Sequence, residues 1–326
     1  MPSFFSVPGP IKTIFDSFPL AIYPAISKQD DSMSGEISRR KFAFQGSNAR
    51  QDTPNNTFML GVYNVFAELE SGCLLATDPL CLYAQFALCK KNALGLPNGS
   101  TCEGRGYPHS IALLSHAASA KESLPILVEG FSKRSIRSAE GIDEILRTRV
   151  SHDAEQLMYI TMLDHVVYDC WIIQVLYHTT EEEFLRLYSH DPKSTTALLG
   201  HLAIGNMKLA LVKRNEFHLR HKELVKNIES PLNVYKARSL NHLLKPIFDK
   251  CKKTLLQFQD IMSDPSLRST KDVSPTYLEL KIASYILCIL NLDEMAPLRA
   301  FVENQCQGLT KQAKLTVQKL QKAALN

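Results

Sequence analysis

One cysteine lies where the chain could hold a reactive thiolate. The segment TDPLCLYAQFALCKK is expected to form a helix that begins after Asp78, because aspartate is a favoured N-cap residue and Pro79 tolerates the first helical position. Cys81 then falls within the first turn, where the amide dipoles of a helix can stabilise a negative charge. The residue types and their spacing therefore allow thiol chemistry at this helix.

The neighbours of Cys81 favour a structural role over a reactive one. Leu80, Leu82 and the apolar residues that follow make the helix apolar on nearly every side, which predicts a buried thiol with a raised pKa. Asp78 would further disfavour a thiolate beside it. We therefore expect no catalytic residue, and we keep a glutathione-dependent transferase, with Cys81 as its thiol-activating residue, as the enzymatic alternative.

The segment LPILVEGFSKRSIRSAEGIDEILRTR predicts a strand, a turn at Glu129-Gly130, a second strand and a helix capped by Ser138. In a glutathione-dependent transferase, the residue before this serine is acidic or an amide and binds the amine of glutathione. Arg137 occupies that position and would repel an ammonium group. The sequence therefore argues against bound glutathione, and we expect no cofactor.

Pro125 begins the first of these two strands and allows two interpretations. It is either a tight entry into the strand or the mark of a free backbone edge that accepts an extended segment of a partner by main-chain pairing. On the second interpretation, Pro125 and Arg137 are candidate partner-binding residues.

A basic surface is expected in the second half of the chain. Its candidate membrane-facing residues are Lys213, Arg214, Arg220 and Lys222. Each cation close to an anionic bilayer contributes about 1 kcal/mol to binding. Aromatic residues are not interleaved with these cations as a stacking platform for bases would require, so we expect no nucleic-acid partner.

Metal chemistry has only a weak candidate. His218 and His221 are three residues apart, but cations surround them and no third ligand of suitable type stands nearby. The sequence also has no Walker loop, no G-x-G-x-x-G and no His-Glu-x-x-His motif. We therefore expect no metal site.

The composition is that of a globular protein. The chain has 326 residues, of which 45% are hydrophobic and 21% charged, and its formal net charge is +4. Eight cysteines without a Cys-x-x-Cys pair indicate reduced thiols in a cytosol-facing compartment. The most apolar segments, residues 157–177 and 278–292, are interrupted by charges or too short to span a bilayer, so any membrane attachment is expected to be peripheral.

Three segments differ in character. Residues 1–57 are expected to be an extension without a core of its own, which folds back or docks on a partner. Its candidate partner-binding residues are Phe15, Phe18, Leu20 and Tyr23. Residues 58–150 combine strand and helix signals with a proline before the third strand, as in a thioredoxin-like domain. Residues 151–326 show only helical periods, including one from Ser194 to Asn227. This order predicts a glutathione-transferase-like fold, in which an all-α domain follows the thioredoxin-like domain.

The sequence also resembles the metaxin family. The resemblance rests on a series of segments in order: FMLGVYNVF, ATDPLCLYAQFALCKKNALGLP, LPILVEGFSKRSIRSA, DAEQLMYITMLDHVVYDCW, VKRNEFHLRHKELVK and PTYLELKIASYILCI. It covers most of the chain, including the N-terminal SFFSVPGPIKTIFDSFPL, and weakens in the polar insertions. Within the family, the pattern is most similar to the smaller peripheral subunits of the sorting and assembly machinery of the mitochondrial outer membrane.

This resemblance implies a role in β-barrel biogenesis without enzymatic activity. Subunits of this kind lie on the cytosolic side of the outer membrane and bind the β-barrel channel subunit of the machinery. They work beside a second, larger metaxin-like subunit and help receive β-barrel precursors through the signal in their last strand. The expected partners are therefore these proteins, with an anionic membrane surface as a further contact.

Overall fold

The computed structural model of the chain describes residues 39–50, 57–99, 108–130, 134–190, 197–229, 240–263 and 274–324. Residues 38–326 form one compact unit. Four of the candidate partner-binding residues, Phe15, Phe18, Leu20 and Tyr23, lie outside the described residues. Their role in docking stays a prediction.

Seven strands occur in the first half of the described chain: β1 (Lys41–Ala43), β2 (Thr57–Val62), β3 (Val65–Ala67), β4 (Leu74–Ala76), β5 (His109–Leu113), β6 (Ile126–Gly130) and β7 (Arg134–Arg137). Five of them form one mixed sheet in the order β1-β5-β2-β6-β7. β2 and β5 run parallel, whereas the other neighbouring pairs are antiparallel. β3 and β4 form a separate hairpin.

The segment FMLGVYNVF, rich in the β-branched and aromatic residues that favour strands, contributes to two strands. β2 ends at Val62 and β3 begins at Val65, so the chain leaves the main sheet between them. β2 has paired neighbours on both sides, and its Leu60 and Val62 are fully buried, as a central strand requires. β1 falls within the segment expected to be an extension, and Phe44 after it is also buried, so this part of the segment contributes to the sheet and its core.

The turn predicted at Glu129-Gly130 is wrong, because β6 continues to Gly130 and Gly130 pairs with Arg134 of β7. The presence of glycine at position 130 has a different physical explanation. A Cβ atom placed on Gly130 would lie 2.4 Å from Oγ1 of Thr57 on the neighbouring strand β2. Glycine therefore leaves room here for the side chain of Thr57.

Twelve α-helices are described: α1 (Pro79–Asn92), α2 (Ala139–Thr148), α3 (Ala154–Met162), α4 (Tyr168–Tyr177), α5 (Glu181–Tyr188), α6 (Ala197–Lys213), α7 (Phe217–Arg220), α8 (Lys222–Glu229), α9 (Asn241–Ile261), α10 (Tyr277–Leu290), α11 (Pro297–Gln305) and α12 (Gln307–Ala323). A π-helical segment, Leu163–Val167, joins α3 to α4. All but α1 and α2 lie after residue 150, so the predicted change from a mixed to a helical region is confirmed. Among the described residues, no helix has both the length and the apolar character needed to cross a bilayer.

Helix starts follow the expected capping chemistry. Asp78 caps α1 by accepting hydrogen bonds from the amides of Leu80 and Cys81, and Ser138 caps α2 by accepting one from Gly141. Thr276 and Glu279 form a reciprocal capping box at the start of α10.

The single helix expected from Ser194 to Asn227 is wrong. The chain forms α6, a short 3-10 turn over Arg214–Glu216, and then α7 and α8. Asn215 and Glu216 adopt φ values of 52° and 56°, in the left-handed region that costs energy for residues other than glycine. This break follows directly on Arg214, whose side chain is buried.

The sheet region and the helical region are joined by polar contacts as well as by a continuous apolar core. The amide of Asn64 donates to the carbonyl oxygens of Arg186 and Ser189, at 2.8 and 3.0 Å. The hydroxyl of Thr77 donates to the carbonyl oxygen of Leu187 at 2.5 Å. These contacts at the end of α5 satisfy carbonyls that a helix C-terminus leaves without intrahelical partners.

Candidate functional site

The start of α1 carries a buried ion pair. Oδ2 of Asp78 lies 2.5 Å from Nη2 of Arg214, and the two side chains are 0% and 4% exposed. Oδ1 of the same carboxylate accepts from the amides of Leu80 and Cys81, at 3.1 and 3.2 Å. Asp78 therefore caps α1 with one oxygen and holds Arg214 with the other.

Aromatic side chains complete the hydrogen bonding of this pair. The hydroxyl of Tyr188 donates to Oδ2 of Asp78 at 3.1 Å and accepts from the indole N–H of Trp171 at 3.0 Å. Nε of Arg214 donates to the hydroxyl of Tyr168 at 3.0 Å. A buried charge is costly unless it is paired and hydrogen-bonded, and both conditions hold here. We refer to this set as the Asp78–Arg214 network; its members are Asp78, Arg214, Tyr63, Tyr168, Trp171 and Tyr188.

The network is not poised for proton transfer near neutral pH. Burial lowers the pKa of Arg214, but Asp78, Tyr168 and Tyr63 outweigh burial, so its pKa lies well above the ordinary value. Burial raises the pKa of Tyr168 to about 12 and that of Tyr188 well above its usual range. A general acid or base works best with a pKa near the operating pH. The arrangement therefore suits structural pairing rather than acid–base chemistry.

The backbone of Leu124, which precedes Pro125 in a cis peptide bond, is also held by the network. The Leu124 amide donates to the hydroxyl of Tyr63 at 3.1 Å, and its carbonyl accepts from Nη1 of Arg214 at 2.8 Å. Both polar groups that an extended ligand could pair with at this residue are therefore occupied by the protein's own side chains.

The free edge considered at Pro125 is accordingly wrong. Pro125 is buried, and the strand that follows it, β6, is paired with β2 on one side and β7 on the other. Main-chain pairing with a partner needs unpaired N–H and C=O groups. In the described sheet, the edge on this side is formed by β7, not by β6.

Cys81 is buried beneath this network, as the sequence predicts. The residue is 0% exposed, and burial followed by the nearby Asp78 carboxylate raises the pKa of its thiol well above the ordinary value. Thiol reactivity requires the thiolate. The helix dipole at the start of α1 is thus used by the carboxylate of Asp78 and not by a sulfur anion.

Arg137 has an intramolecular partner. Its Nε lies 2.6 Å from Oε2 of Glu129 on the adjacent strand, and the Arg137 side chain is 44% exposed. The hydroxyl of Ser138 is occupied by capping α2. A role of Arg137 in binding a partner stays a prediction.

An open cleft of about 610 Å³ lies beside the Asp78–Arg214 network. Leu80, Ala139, Asp164 and Arg214 are among its lining residues, so the cleft borders the starts of α1 and α2 and the π-helical segment.

A second group of charges lies near this cleft, and Asp164 and Lys281 are its buried members. Nζ of Lys281, whose side chain is 0% exposed, lies 2.7 Å from Oδ1 of Asp164 and 4.4 Å from the ring centre of Tyr83. Arg147 bridges the two acidic residues, with Nη2 2.7 Å from Oδ2 of Asp164 and Nε 2.6 Å from Oδ2 of Asp143. Burial is the largest influence on Asp164 and raises the pKa of its carboxyl, although Lys281 acts in the opposite direction.

Sequence reasoning missed most members of these two groups. Asp164 and Lys281 stand inside apolar helical runs, and a charge in such a run is a signal for a buried pair. Tyr63, Tyr168 and Tyr188 carry no comparable local signal, because tyrosines occur both in cores and on surfaces.

Only some residues of the expected basic patch are exposed to solvent. Lys213 and Lys222 are exposed, as a membrane-facing role requires. Arg214 is buried in the ion pair with Asp78, so its assignment to the patch is wrong. Arg220 is half-buried and donates to both oxygens of Asp169, at 3.0 and 2.6 Å. Arg214 lies four and three residues after the buried Ala210 and Leu211, so it continues the buried face of α6, although its charge grouped it with the other cations.

The two spaced histidines do not form a pair. Nε2 of His221 lies 2.7 Å from Oδ2 of Asp169, next to Arg220. Within the described residues, no group of three or more His, Cys, Asp or Glu side chains is arranged to hold a metal ion.

Comparisons with known proteins give a consistent result. Residues 5–129 match the protein family described as SAM35, subunit of SAM complex. The chain is 43% identical over 331 residues to the "Sorting assembly machinery 35 kDa subunit" of Saccharomyces cerevisiae (strain ATCC 204508 / S288c). That similarity covers 97% of this chain and 98% of the yeast protein.

Proposed function

Because the chain belongs to the SAM35 family of SAM complex subunits, we propose that it is a non-enzymatic adaptor of that machinery at the mitochondrial outer membrane. In this role it binds the β-barrel channel subunit on the cytosolic side and helps receive β-barrel precursors through the signal in their last strand. The observation that carries the proposal is the 43% identity to the yeast subunit over nearly the whole of both chains.

The Asp78–Arg214 network supports the non-enzymatic part of the proposal. A glutathione-dependent enzyme needs a ligand-accessible group at the start of the first helix and free backbone groups before the cis-proline. In this chain Cys81 is buried, and the amide and carbonyl of Leu124 are engaged by Tyr63 and Arg214. A ligand that paired with the backbone of Leu124 would have to displace Tyr63 and Arg214, and loss of Arg214 would leave the buried carboxylate of Asp78 without its cation.

The fold we propose for this adaptor is glutathione-transferase-like and related to that of the metaxin family. The order of the strands supports it: β2 and β5 are parallel, β6 is antiparallel to β2, and β7 is antiparallel to β6. The helices α1 and α2 follow β4 and β7 in sequence. The cis peptide before Pro125 and the helical second region agree with the same plan.

Its proposed protein partners are the channel subunit, a larger metaxin-like subunit and precursor proteins in transit. Attachment to the membrane is peripheral on this proposal, through the partner and through the exposed cations Lys213 and Lys222. The transferase with Cys81 as its reactive group remains the second candidate function, but a buried thiol with a raised pKa disfavours it.

Co-purification tests the adaptor role. The tagged full chain is expressed in cells that lack their own 35 kDa subunit, and outer membranes are solubilised in a mild detergent. We expect the channel subunit to elute with the chain in near-equal amounts and radiolabelled β-barrel precursors to assemble at the rate seen with the native subunit. A chain that elutes alone and leaves precursor assembly at the level of the empty vector would refute the proposal.

A further inference from the structure

A second cavity, of about 220 Å³, lies between the sheet and the helices α1 and α2. It is separate from the Asp78–Arg214 network and from the cleft beside it. Most of its wall is apolar, with residues from the sheet, α1 and α2, and the ion pair between Glu129 and Arg137 also lines it. The apolar residues include Leu60, Leu127, Ala84, Ala87, Ile142 and Leu146. An apolar cavity of about 150 Å³ suffices to bind benzene, so this cavity has room for several methylene groups but not for a whole phospholipid.

Two of the charged residues that line the cavity stand at the ends of the two helices. Lys91 lies in the last turn of α1, and Arg149 follows the last residue of α2. Both line the cavity and both are exposed. Within the part of the chain that the structure describes, neither has an ion-pair partner, whereas Arg137 in the same wall is neutralised by Glu129.

Cations near helix C-termini are common, because each helix end carries about half a negative charge. Two such ends therefore contribute about one negative charge, and Lys91 and Arg149 contribute two positive charges. The mouth of the cavity remains positive after the helix ends are counted. A ligand that matches both features has an apolar chain for the wall and one anionic head group for the mouth.

We propose that this cavity binds a single-chain anionic amphiphile, with the start of the acyl chain between α1 and α2 and the head group at Lys91 and Arg149. The head group is a carboxylate or a phosphate ester, as in a fatty acid or a lysophospholipid. This inference goes beyond the adaptor function, because it concerns a small-molecule ligand and not a protein partner.

Calorimetric titration of the full chain tests the inference, with decanoate and decyl phosphate below their micelle concentrations and decanol below its solubility limit. We expect saturable binding of at least one of the two anions with a stoichiometry of one, and binding of decanol weaker by at least tenfold. Preference for decanoate would indicate a fatty acid, and preference for decyl phosphate a lysophospholipid. Equal binding of decanol, or no saturable binding of either anion, would overturn the proposal.

Two variants locate the binding site. Charge reversal at the mouth, Lys91→Glu with Arg149→Glu, changes only exposed side chains and should weaken binding of the preferred anion at least tenfold. The matched control, Lys245→Glu with Lys250→Glu on the exposed side of α9, should bind within twofold of the unmodified protein. Equal effects of the two charge reversals would show that binding is non-specific and would overturn the proposal.

A third variant, Ala87→Leu, fills the cavity from α1 and should abolish binding with an unchanged circular dichroism spectrum. Retained binding of the anion by folded Ala87→Leu would contradict the assigned wall. If this variant does not fold, a decanoate probe with a photoreactive diazirine decides the location. Labelling of peptides outside the cavity wall would then overturn the proposal.

Discussion

Asp78 and Arg214 stand 136 positions apart in the sequence, yet their side chains meet at 2.5 Å in the interior of the protein. Asp78 precedes the first helix of the sheet region, and Arg214 follows the long helix α6 of the helical region. The pair therefore ties the two regions together at one point, and its energetics can be measured by breaking one partner at a time.

We expect Arg214→Met to lower the free energy of unfolding by about 3–5 kcal/mol, because it leaves the carboxylate of Asp78 buried without its cation. The double variant Asp78→Asn with Arg214→Met should recover part of this loss, since asparagine still caps α1 and no charge stays unpaired. Urea unfolding followed by circular dichroism measures both. The exposed neighbour Lys213→Met should change stability by less than about 0.5 kcal/mol. A similarly small loss in Arg214→Met would contradict the importance of the pair.

Glutathione should neither bind to the native chain nor shift its melting temperature. The positions that would bind it are filled by Tyr63 and Arg214, and the thiol of Cys81 is fully buried. Retention on immobilised glutathione measures this, with a glutathione transferase as positive control. A clear thermal shift that disappears in Cys81→Ala would support the transferase alternative instead.

The thiol of Cys81 should also contribute to a loss of stability at alkaline pH. Burial raises its pKa in the folded chain, whereas the unfolded thiol loses its proton near pH 8.5. Above that pH the unfolded state binds fewer protons than the folded state, so stability falls as the pH rises. Cys81→Ala should reduce this slope by up to about 1.4 kcal/mol per pH unit, as measured by urea unfolding between pH 8 and pH 10. An unchanged slope would mean that Cys81 titrates alike in both states.

Removal of the buried cation Lys281 should make stability more dependent on pH. In the folded chain, burial raises the pKa of Asp164 above its unfolded value, so the folded state holds the proton longer and stability falls as pH rises between the two values. Lys281 opposes this shift, and Lys281→Met should therefore extend the fall toward neutral pH. The deficit of the variant relative to the unmodified chain should grow between pH 5 and pH 8.

A control separates this effect from lost packing. In Asp164→Asn with Lys281→Met, no carboxylate remains at position 164, and the pH-dependent part of the deficit should disappear. A deficit in Lys281→Met that stays constant from pH 5 to pH 8 would show that Asp164 does not titrate there.

Binding to anionic vesicles should depend on the exposed members of the expected basic patch. If both residues approach the bilayer, the double variant Lys213→Glu with Lys222→Glu should weaken binding by roughly 4 kcal/mol. Each cation that is removed and each anion that is introduced accounts for about 1 kcal/mol of this loss. Sedimentation with vesicles that contain phosphatidylserine measures this at low salt. Lys245→Glu with Lys250→Glu is the matched control, and equal effects of the two pairs would argue against a defined membrane-facing patch.

The local features of the fold could be predicted from the sequence, and the long-range features could not. The cap at Asp78, the strand after Pro125 and the burial of Cys81 all follow from neighbouring residue types, and the structure confirms them. The burial of Arg214 depends instead on Asp78, whose carboxylate lies 136 positions earlier in the chain. By its spacing from Ala210 and Leu211, Arg214 falls on the buried face of α6, but only the tertiary fold supplies the carboxylate that allows this cation to be buried.

The same limit applied to the edge of the sheet. The sequence indicated strands on both sides of Glu129-Gly130, but the order of strands decides which edge is free, and that order arises from pairing between distant segments. Pro125 begins a central strand for this reason. The tyrosines of the Asp78–Arg214 network are likewise brought together only by tertiary packing.

The contacts of Asn64 and Thr77 with the last carbonyls of α5 affect how the chain folds during its synthesis on the ribosome. The partners of these two side chains lie more than 100 residues downstream, so they are still unsynthesised when the sheet segment leaves the exit tunnel. The amino-terminal half therefore cannot complete its packing, and part of its core stays exposed to solvent, until the later helices emerge. An interruption of translation before α5 would yield a fragment with exposed apolar surface and not a smaller folded domain. Chaperones are expected to bind such a fragment.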